Sequence, residues 1–184
     1  MTTDAENETA ESGRERGRAA GGVLAAATVA MGLIAGLFYA FACSIMPALA
    51  RSDDRVYVEV MQNINDVIQS PVFFLSFLGA LLLTAVSAWQ LRGSPRVRVW
   101  VFGALVAYGL AFLLTVVVNI PLNDGLMDAG NPATMADPAA VREEFEDPWV
   151  AWNVVRAVLC TLALTLLARA LTLYGHHVRP GRRT

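Results

Sequence analysis

Charge is scarce in this 184-residue sequence. Only 16% of the residues are charged, 55% are apolar, and the mean hydropathy is +0.48. Soluble domains average about 25% charged residues, so the composition favours a membrane protein. Charge is absent from three long stretches and limited to one arginine in a fourth: 19–50, 67–91, 99–123 and 148–167.

Residues that hold metals or carry redox chemistry are missing from these stretches. The two histidines, His176 and His177, follow the last stretch, and no Asp or Glu lies in its core or in the others. This excludes a haem held by the helices, a di-iron carboxylate centre and a carboxylate proton relay. Cys43 and Cys160 form no C-x-x-C motif, and their predicted depths differ by more than the roughly 7 Å between Cα atoms that a disulfide tolerates. We therefore predict that any redox chemistry proceeds without a metal held by these helices.

Each stretch is long enough to cross a bilayer, which takes about 20 mostly apolar residues. None shows the polar face that a water-soluble helix repeats every 3.6 residues. The sequence therefore predicts an all-α fold, an integral membrane four-helix bundle. We expect its four helices over about 22–45, 71–91, 98–119 and 149–173.

The two ends of the chain are polar. Residues 1–18 contain five acids, three arginines and no large apolar side chain, which predicts a disordered cytoplasmic tail. The transmembrane domain then covers 19–175, and 176–184 form a basic cytoplasmic tail.

The distribution of arginine predicts the orientation. The loop between helices 3 and 4 has Arg142 against seven acids, whereas the other arginines cluster elsewhere. By the positive-inside rule, the arginine-rich segments face the cytoplasm. This predicts a multi-pass protein of the cell membrane with both termini in the cytoplasm. The arginines that flank helices 1, 2–3 and 4 on that side are Arg14, Arg16, Arg18, Arg92, Arg96, Arg98, Arg169, Arg179, Arg182 and Arg183.

The first outer loop contains a short amphipathic helix from Asp53 to Gln69, with apolar residues recurring at helical spacing. Ser70 then caps helix 2, whose first position is Pro71. Helix 1 carries Gly32-x-x-x-Gly36, and helix 3 repeats small residues at the same spacing. Such faces let helices approach closely in lipid, within one bundle or between subunits of a homo-oligomer, and both remain open.

Several polar residues lie within the predicted membrane-spanning helices, where contact with lipid would be unfavourable. Helix 3 ends in the segment 119–124, Asn-Ile-Pro-Leu-Asn-Asp, and helix 4 carries Trp149, Asn153 and Arg156 at i, i+4 and i+7, hence on one face, with Trp152 beside them. An arginine two turns inside a span is costly unless it is paired or faces a cavity. We therefore predict a polar, aromatic-lined pocket in the outer half of the membrane, which the outer end of helix 1, with Tyr39, and the loop helix also reach.

A purely structural interpretation competes with this pocket. Trp149 and Trp152 are typical of the aromatic belt at a membrane interface. Asn119 and Asn123 could serve only to end helix 3 around its proline, and Arg156 could extend outward or bond to those asparagines or to Asp124. The whole set favours a site more strongly than any one residue does.

The chain resembles the anthrone-oxygenase-like membrane proteins from about Gly22 to Tyr174. Four motifs carry the resemblance: Met46-Pro47-Ala48-Leu49, Met61-Gln62-Asn63-Ile64-Asn65, Asn119-Ile120-Pro121-Leu122-Asn123-Asp124 and Trp149-x-x-Trp152-Asn153-x-x-Arg156. The resemblance implies oxidation of an anthrone to an anthraquinone by dioxygen, with no metal or flavin, because the anthrone anion reduces dioxygen directly.

On this hypothesis, each polar residue has a role. Arg156 and the amides of Asn119, Asn123 and Asn153 stabilise an oxyanion, and Asp124 is the nearest carboxylate for a base. Four residues contact the flat aromatic substrate, with Trp152 stacking on it: Trp149, Trp152, Asn65 and Tyr39.

A non-catalytic role stays open beside this one. The same pocket suits a membrane protein that binds or exports a small hydrophobic metabolite, or a helical subunit of a complex. The expected partners are membrane lipid and a small hydrophobic aromatic ligand. The basic residues are short flanks at membrane edges, so we predict no nucleic-acid binding.

Overall fold

Helices account for nearly all of the computed structural model, which describes residues 2–178. The helices are α1 (Thr2–Ala40), α2 (Met46–Leu49), α3 (Asp54–Ile68), α4 (Pro71–Gln90), α5 (Pro95–Leu114), α6 (Ile120–Asp128) and α7 (Pro138–Val178). Two π-helical turns, Phe41–Ile45 and Thr115–Asn119, join α1 to α2 and α5 to α6. No strand occurs in the described part of the chain. The predicted all-α fold is confirmed.

Four helical segments are long and apolar enough to cross a membrane, which confirms a multi-pass membrane protein. They are span 1 (Glu11–Leu49), span 2 (Pro71–Gly93), span 3 (Pro95–Asp128) and span 4 (Pro138–Gly175). The loop helix predicted between the first two spans is α3, and Ser70 caps span 2 as expected, since its Oγ accepts a hydrogen bond from Phe73 N at 3.3 Å.

The helices extend further than the sequence predicted. α1 begins at Thr2, so the segment expected to be a disordered tail continues span 1; its Ala, Glu and Arg residues are good helix formers. α7 begins at Pro138, where Asp137 Oδ1 accepts a hydrogen bond from Ala140 N at 3.1 Å. Polar helix ends carry no membrane signal, so hydropathy does not reveal them.

A proline follows each π-helical turn by two residues. The N–H of Met46 bonds to Phe41 O before Pro47, and the N–H of Ile120 bonds to Thr115 O before Pro121. Each bond reaches back five residues, and this widened turn lets the chain continue past a residue without an N–H. Pro121 therefore does not end span 3, and helix continues as α6.

Small side chains pack the centre of the bundle. Ala107 is 5% exposed and Ala111 is fully buried on span 3, facing span 4. A Cβ on Gly103 would lie 3.4 Å from Leu166 Cδ1, whereas a Cβ on Gly36 would meet nothing within 4 Å. The small-residue face of span 3 therefore packs inside the bundle, whereas Gly36 of span 1 lies at its surface.

The bundle has two ends with different content. Tyr174 donates a 2.6 Å hydrogen bond to Gly17 O, so the start of span 1 and the end of span 4 lie together at what we call the arginine-rich end. α3 packs on α6 and α7 at the opposite, loop-helix end. There Arg142 contacts Asp54 and Glu146 at 2.9 and 2.6 Å and lies 4.5 Å from the ring centroid of Tyr57.

The side chain of Tyr57 is buried at this contact. Burial raises the pKa of its hydroxyl above the ordinary 10.0, and the nearby carboxylate of Glu146 acts in the same direction. Tyr57 therefore stays neutral where α3 joins α7.

Candidate functional site

A cavity of about 230 Å³ lies inside the loop-helix end of the bundle. All four spans and the loop helix α3 contribute to its wall. The polar and charged residues that line it are Asn65, Gln69, Thr115, Asn123, Asp124, Asn153 and Arg156. Segments distant in sequence therefore meet at one place, as the polar motifs predicted.

Arg156 is the charge at the centre of this cavity. It is only 5% exposed. Its guanidinium donates to Thr115 Oγ1 at 3.4 Å and to Asn153 Oδ1 at 3.2 Å, while Nε lacks a hydrogen-bond partner among the described residues. No carboxylate pairs with it within residues 2–178. A buried charge without an ion-pair partner is costly, so Arg156 places an unpaired guanidinium in the cavity wall.

Aromatic rings flank the guanidinium. Its carbon lies 4.4 Å from the ring centroid of Phe38 and 5.6 Å from that of Trp149. Cation–π contacts of this kind are worth about 2 kcal/mol when desolvated. The rings offset part of the desolvation cost without neutralising the charge, so the cation remains available to an anionic group.

Asn153 holds the arginine in place. Its side chain is fully buried. Its amide nitrogen donates to Phe38 O at 3.2 Å, and its oxygen accepts from Arg156. Asn153 thus ties span 4 to span 1, at the turn before the first π-helical turn, and orients the guanidinium.

Asn123 holds the other side of the cavity. Its Oδ1 accepts a 2.7 Å hydrogen bond from Trp149 Nε1. This bond joins α6 to α7 and occupies both the indole N–H and the amide oxygen, which leaves Nδ2 as the donor that Asn123 brings to the cavity wall. Trp149 also lies 5.6 Å from Phe41, between ring centroids.

Two asparagines bury amide atoms without partners. Asn119 is 1% exposed, and neither its Nδ2 nor its Oδ1 is hydrogen-bonded within the described chain. Asn65 is 4% exposed and lines the cavity, and its Nδ2 is likewise unpaired in the part of the chain that the structure describes. A buried polar atom without a partner costs about 1–3 kcal/mol, so these amides are groups that a polar ligand would satisfy. Asn119 itself lies beside the cavity, next to Ile120, rather than in its wall.

Asp124 is exposed and lines the cavity. It is the one carboxylate among the described lining residues. Its exposure places it where the cavity meets the surface of the bundle, so it is the acidic group nearest to any bound ligand.

Trp152 and Tyr39 lie outside the cavity. They are 38% and 62% exposed, respectively, and neither lines its wall. Each is one residue from a buried cavity residue, Asn153 or Phe38, and a helix turns by about 100° per residue. That rotation directs both side chains to the outer surface of the bundle.

Span 2 contributes aromatic rings to the cavity wall, and the polar motifs did not indicate them. The rings of Phe73 and Phe77 are stacked 5.3 Å apart, and those of Phe77 and Phe112 are 4.9 Å apart. Tyr108 donates a 2.8 Å hydrogen bond to Phe77 O beneath them. The i, i+4 spacing of Phe73 and Phe77 is the sequence signal for this aromatic wall. Thr115 precedes Asn119 by the same spacing, which could have indicated Thr115 as a residue of the site.

A sequence model of the anthrone oxygenase family matches residues 67–166. The chain belongs to the anthrone oxygenase family. Neither a curated protein nor a solved structure matches the chain. The resemblance carried by the four motifs is confirmed at the level of the family.

The part shared with the anthrone oxygenase family runs from the end of α3 to span 4. It contains Phe73, Thr115, Asp124 and Arg156, whereas Phe38 and Asn65 precede it. In this member of the family, a guanidinium without an ion pair, the unpaired amide of Asn65 and aromatic rings line one cavity. This arrangement can bind a flat aromatic molecule with an oxygen substituent and stabilise negative charge on that oxygen.

Proposed function

We propose that this protein catalyses the oxidation of an anthrone-like polycyclic aromatic to the quinone by dioxygen. One observation carries the proposal: Arg156 is buried in the cavity and pairs with no carboxylate of the described chain. Such a cation favours an enolate-type oxygen, because negative charge that develops on the substrate is then met by a fixed positive group. Family membership supports the same reaction class.

The reaction balances without another reactant. A base takes one proton from the central CH2 group, and the resulting anion transfers electrons to dioxygen and forms a carbon–oxygen bond. The peroxide takes that proton back from the base and then loses its remaining C–H proton as its O–O bond breaks. The leaving hydroxide takes up this second proton, giving a ketone and water. One oxygen atom enters the product, and the other leaves as water.

The residues of the cavity divide these tasks. Arg156, held by Asn153 and Thr115, faces the developing oxyanion together with the amides of Asn65 and Asn123. The stacked rings on span 2 hold the flat substrate. Asp124 accepts the proton, and Asp124→Asn leaving turnover unchanged would contradict that role.

The decisive experiment measures dioxygen uptake by membranes that contain the protein, supplied with emodin anthrone. We expect Arg156→Ala to lower the turnover above the spontaneous rate by about 10²–10³-fold, the usual cost of losing an oxyanion donor. The matched control is Arg169→Ala, which removes an arginine from the same helix near Trp100 and should leave turnover unchanged. With labelled dioxygen, one labelled atom should appear in the quinone.

Uptake equal to that of empty membranes would contradict the oxygenase proposal. The cavity would then be better explained as a binding or export site for a hydrophobic metabolite.

The orientation is part of the same proposal. The arginine-rich end carries Arg16 and Arg92 around one surface cleft, and positive loops remain in the cytoplasm. We therefore place the cavity in the outer half of the cell membrane. A reporter fused to the C-terminus should be active only on the cytoplasmic side, and activity on the outer side would reverse the assignment.

A further inference from the structure

A groove of about 720 Å³ lies on the outside of the bundle, next to the cavity. We call it the lateral groove; it lies between span 1, α3 and the start of span 2. Five residues line both the groove and the cavity: Leu37, Phe41, Ile64, Ile68 and Phe73. These shared side chains form the partition between the two spaces, so a change of their rotamers is enough to join the groove to the cavity.

The groove opens on apolar surface. Leu33, Val67 and Val72 line it and are 60%, 74% and 75% exposed. Span 1 and span 2 are membrane-crossing helices, and lipid is the solvent of such exposed apolar faces. No charged residue lines the groove in the described chain. A molecule in the groove is therefore in contact with hydrocarbon.

The apolar lining of the lateral groove favours a neutral ligand over an anionic one. A neutral polycyclic molecule gains from the apolar walls, whereas an anion moving along them would lose its hydration with no cation to meet it before Arg156. Arg156 lines the cavity but not the groove. The anionic form of a ligand is therefore stabilised only after the ligand has passed the five shared residues and entered the cavity.

We propose that the cavity is loaded sideways from the membrane, through the lateral groove, by a neutral flat aromatic molecule that is deprotonated only inside. The inference rests on the proposed function in that it takes the cavity as the ligand site. It names the substrate class as hydrocarbon-soluble and neutral, and it assigns the groove as the route.

The test measures binding rather than turnover. The full chain, carrying Trp89→Phe, Trp100→Phe and Trp152→Phe so that Trp149 is its one tryptophan, is mixed in lipid nanodiscs with 1,8-dihydroxyanthraquinone, and the quenching of tryptophan fluorescence reports arrival beside Trp149. Ser76→Phe narrows the groove from span 2, and Val67→Phe narrows it from α3; neither residue lines the cavity. Leu75→Phe is the control, because Leu75 is the neighbouring residue, is 77% exposed and lies outside the groove.

We expect both groove variants to slow association and dissociation together by about tenfold, with the equilibrium constant unchanged, because a narrowed route raises one barrier in both directions. Leu75→Phe should match the unaltered protein. Rates in the groove variants equal to those of Leu75→Phe would overturn the lateral route and favour access from the aqueous side near Asp124. Absence of quenching in the unaltered protein would overturn the inference together with the proposed ligand class, whereas quenching without dioxygen uptake would overturn the oxygenase alone.

Discussion

Two of the three arginines of span 4, Arg156 and Arg169, lie in opposite surroundings. Arg169 is exposed at the arginine-rich end, with its guanidinium carbon 6.0 Å from the ring centroid of Trp100. Arg156 is buried at the loop-helix end between Phe38 and Trp149. The first arrangement is that of a charge reaching the membrane surface beside an interfacial tryptophan. The second has no structural advantage, which points to function.

The two ends of the bundle differ in how closely their helices pack. At the arginine-rich end, Ala104, Ala163 and Ala170 are fully buried and pack the helices closely. At the loop-helix end, the helices widen around a cavity, two π-helical turns interrupt the backbone, and polar groups remain unpaired. Close packing stabilises the first end, whereas the second has the π-helical turns and most of the unpaired buried polar groups, features typical of a functional site.

Replacing both arginines by methionine should separate the two ends most strongly. Arg156→Met should lower turnover by about 10²–10³-fold. It should also raise the free energy of unfolding by about 1–4 kcal/mol, because an apolar side chain replaces a buried charge with no counter-charge. Arg169→Met should change neither quantity appreciably. Turnover and unfolding in detergent measure the two effects, and a destabilised Arg156→Met would show that the arginine is structural.

The buried unpaired polar groups allow a second comparison. Asn119→Leu should raise the free energy of unfolding by about 1–3 kcal/mol and lower turnover by about tenfold to a hundredfold, through the lost amide beside the cavity. Ser87 is fully buried near the arginine-rich end, and its Oγ is also unpaired in the described chain. Ser87→Ala should stabilise the fold and leave turnover unchanged. Equal turnover in both variants would remove Asn119 from the mechanism.

Two buried threonines give the smallest and cleanest comparison. Thr115 donates to Ala111 O at 2.9 Å and accepts from Arg156, whereas Thr84 donates to Ala80 O at 2.7 Å and is fully buried without contacting the cavity. A substitution by valine keeps the shape of each threonine side chain and removes its hydroxyl group. Thr115→Val should lower turnover by about tenfold, the cost of one hydrogen bond to a charged group, and Thr84→Val should not. An unchanged rate in Thr115→Val would show that Asn153 alone orients the guanidinium.

Local spacing was enough to predict part of the site. Trp149, Asn153 and Arg156 recur at i, i+4 and i+7, and helix geometry alone puts them on one face, so all three line the cavity as predicted. Asn65, Asn123 and Asp124 also line it. The proposed catalytic roles of these residues remain predictions.

Spacing was not enough to predict features that depend on the packing of neighbouring helices. Trp152 was expected to stack on a ligand, but the rotation of span 4 that buries Asn153 turns Trp152 outward. Asn119 and Pro121 were compatible with a helix end, but the π-helical turn before them lets span 3 continue. Both outcomes depend on packing against other helices and on backbone hydrogen bonds, neither of which a single apolar segment encodes.

The sequence by itself determined that the chain crosses a membrane four times, that one polar face lies on span 4, and that its motifs are those of the anthrone oxygenase family. Apolar length and arginine spacing are properties of single segments, so they can be read without a fold. Only the tertiary structure decided which rings face the cavity, which amides stay unpaired, and that an apolar groove lies next to the cavity on the outside of the bundle. In lipid, every face of a spanning helix is apolar, so hydrophobicity does not distinguish the side that meets a neighbour from the side that meets the bilayer.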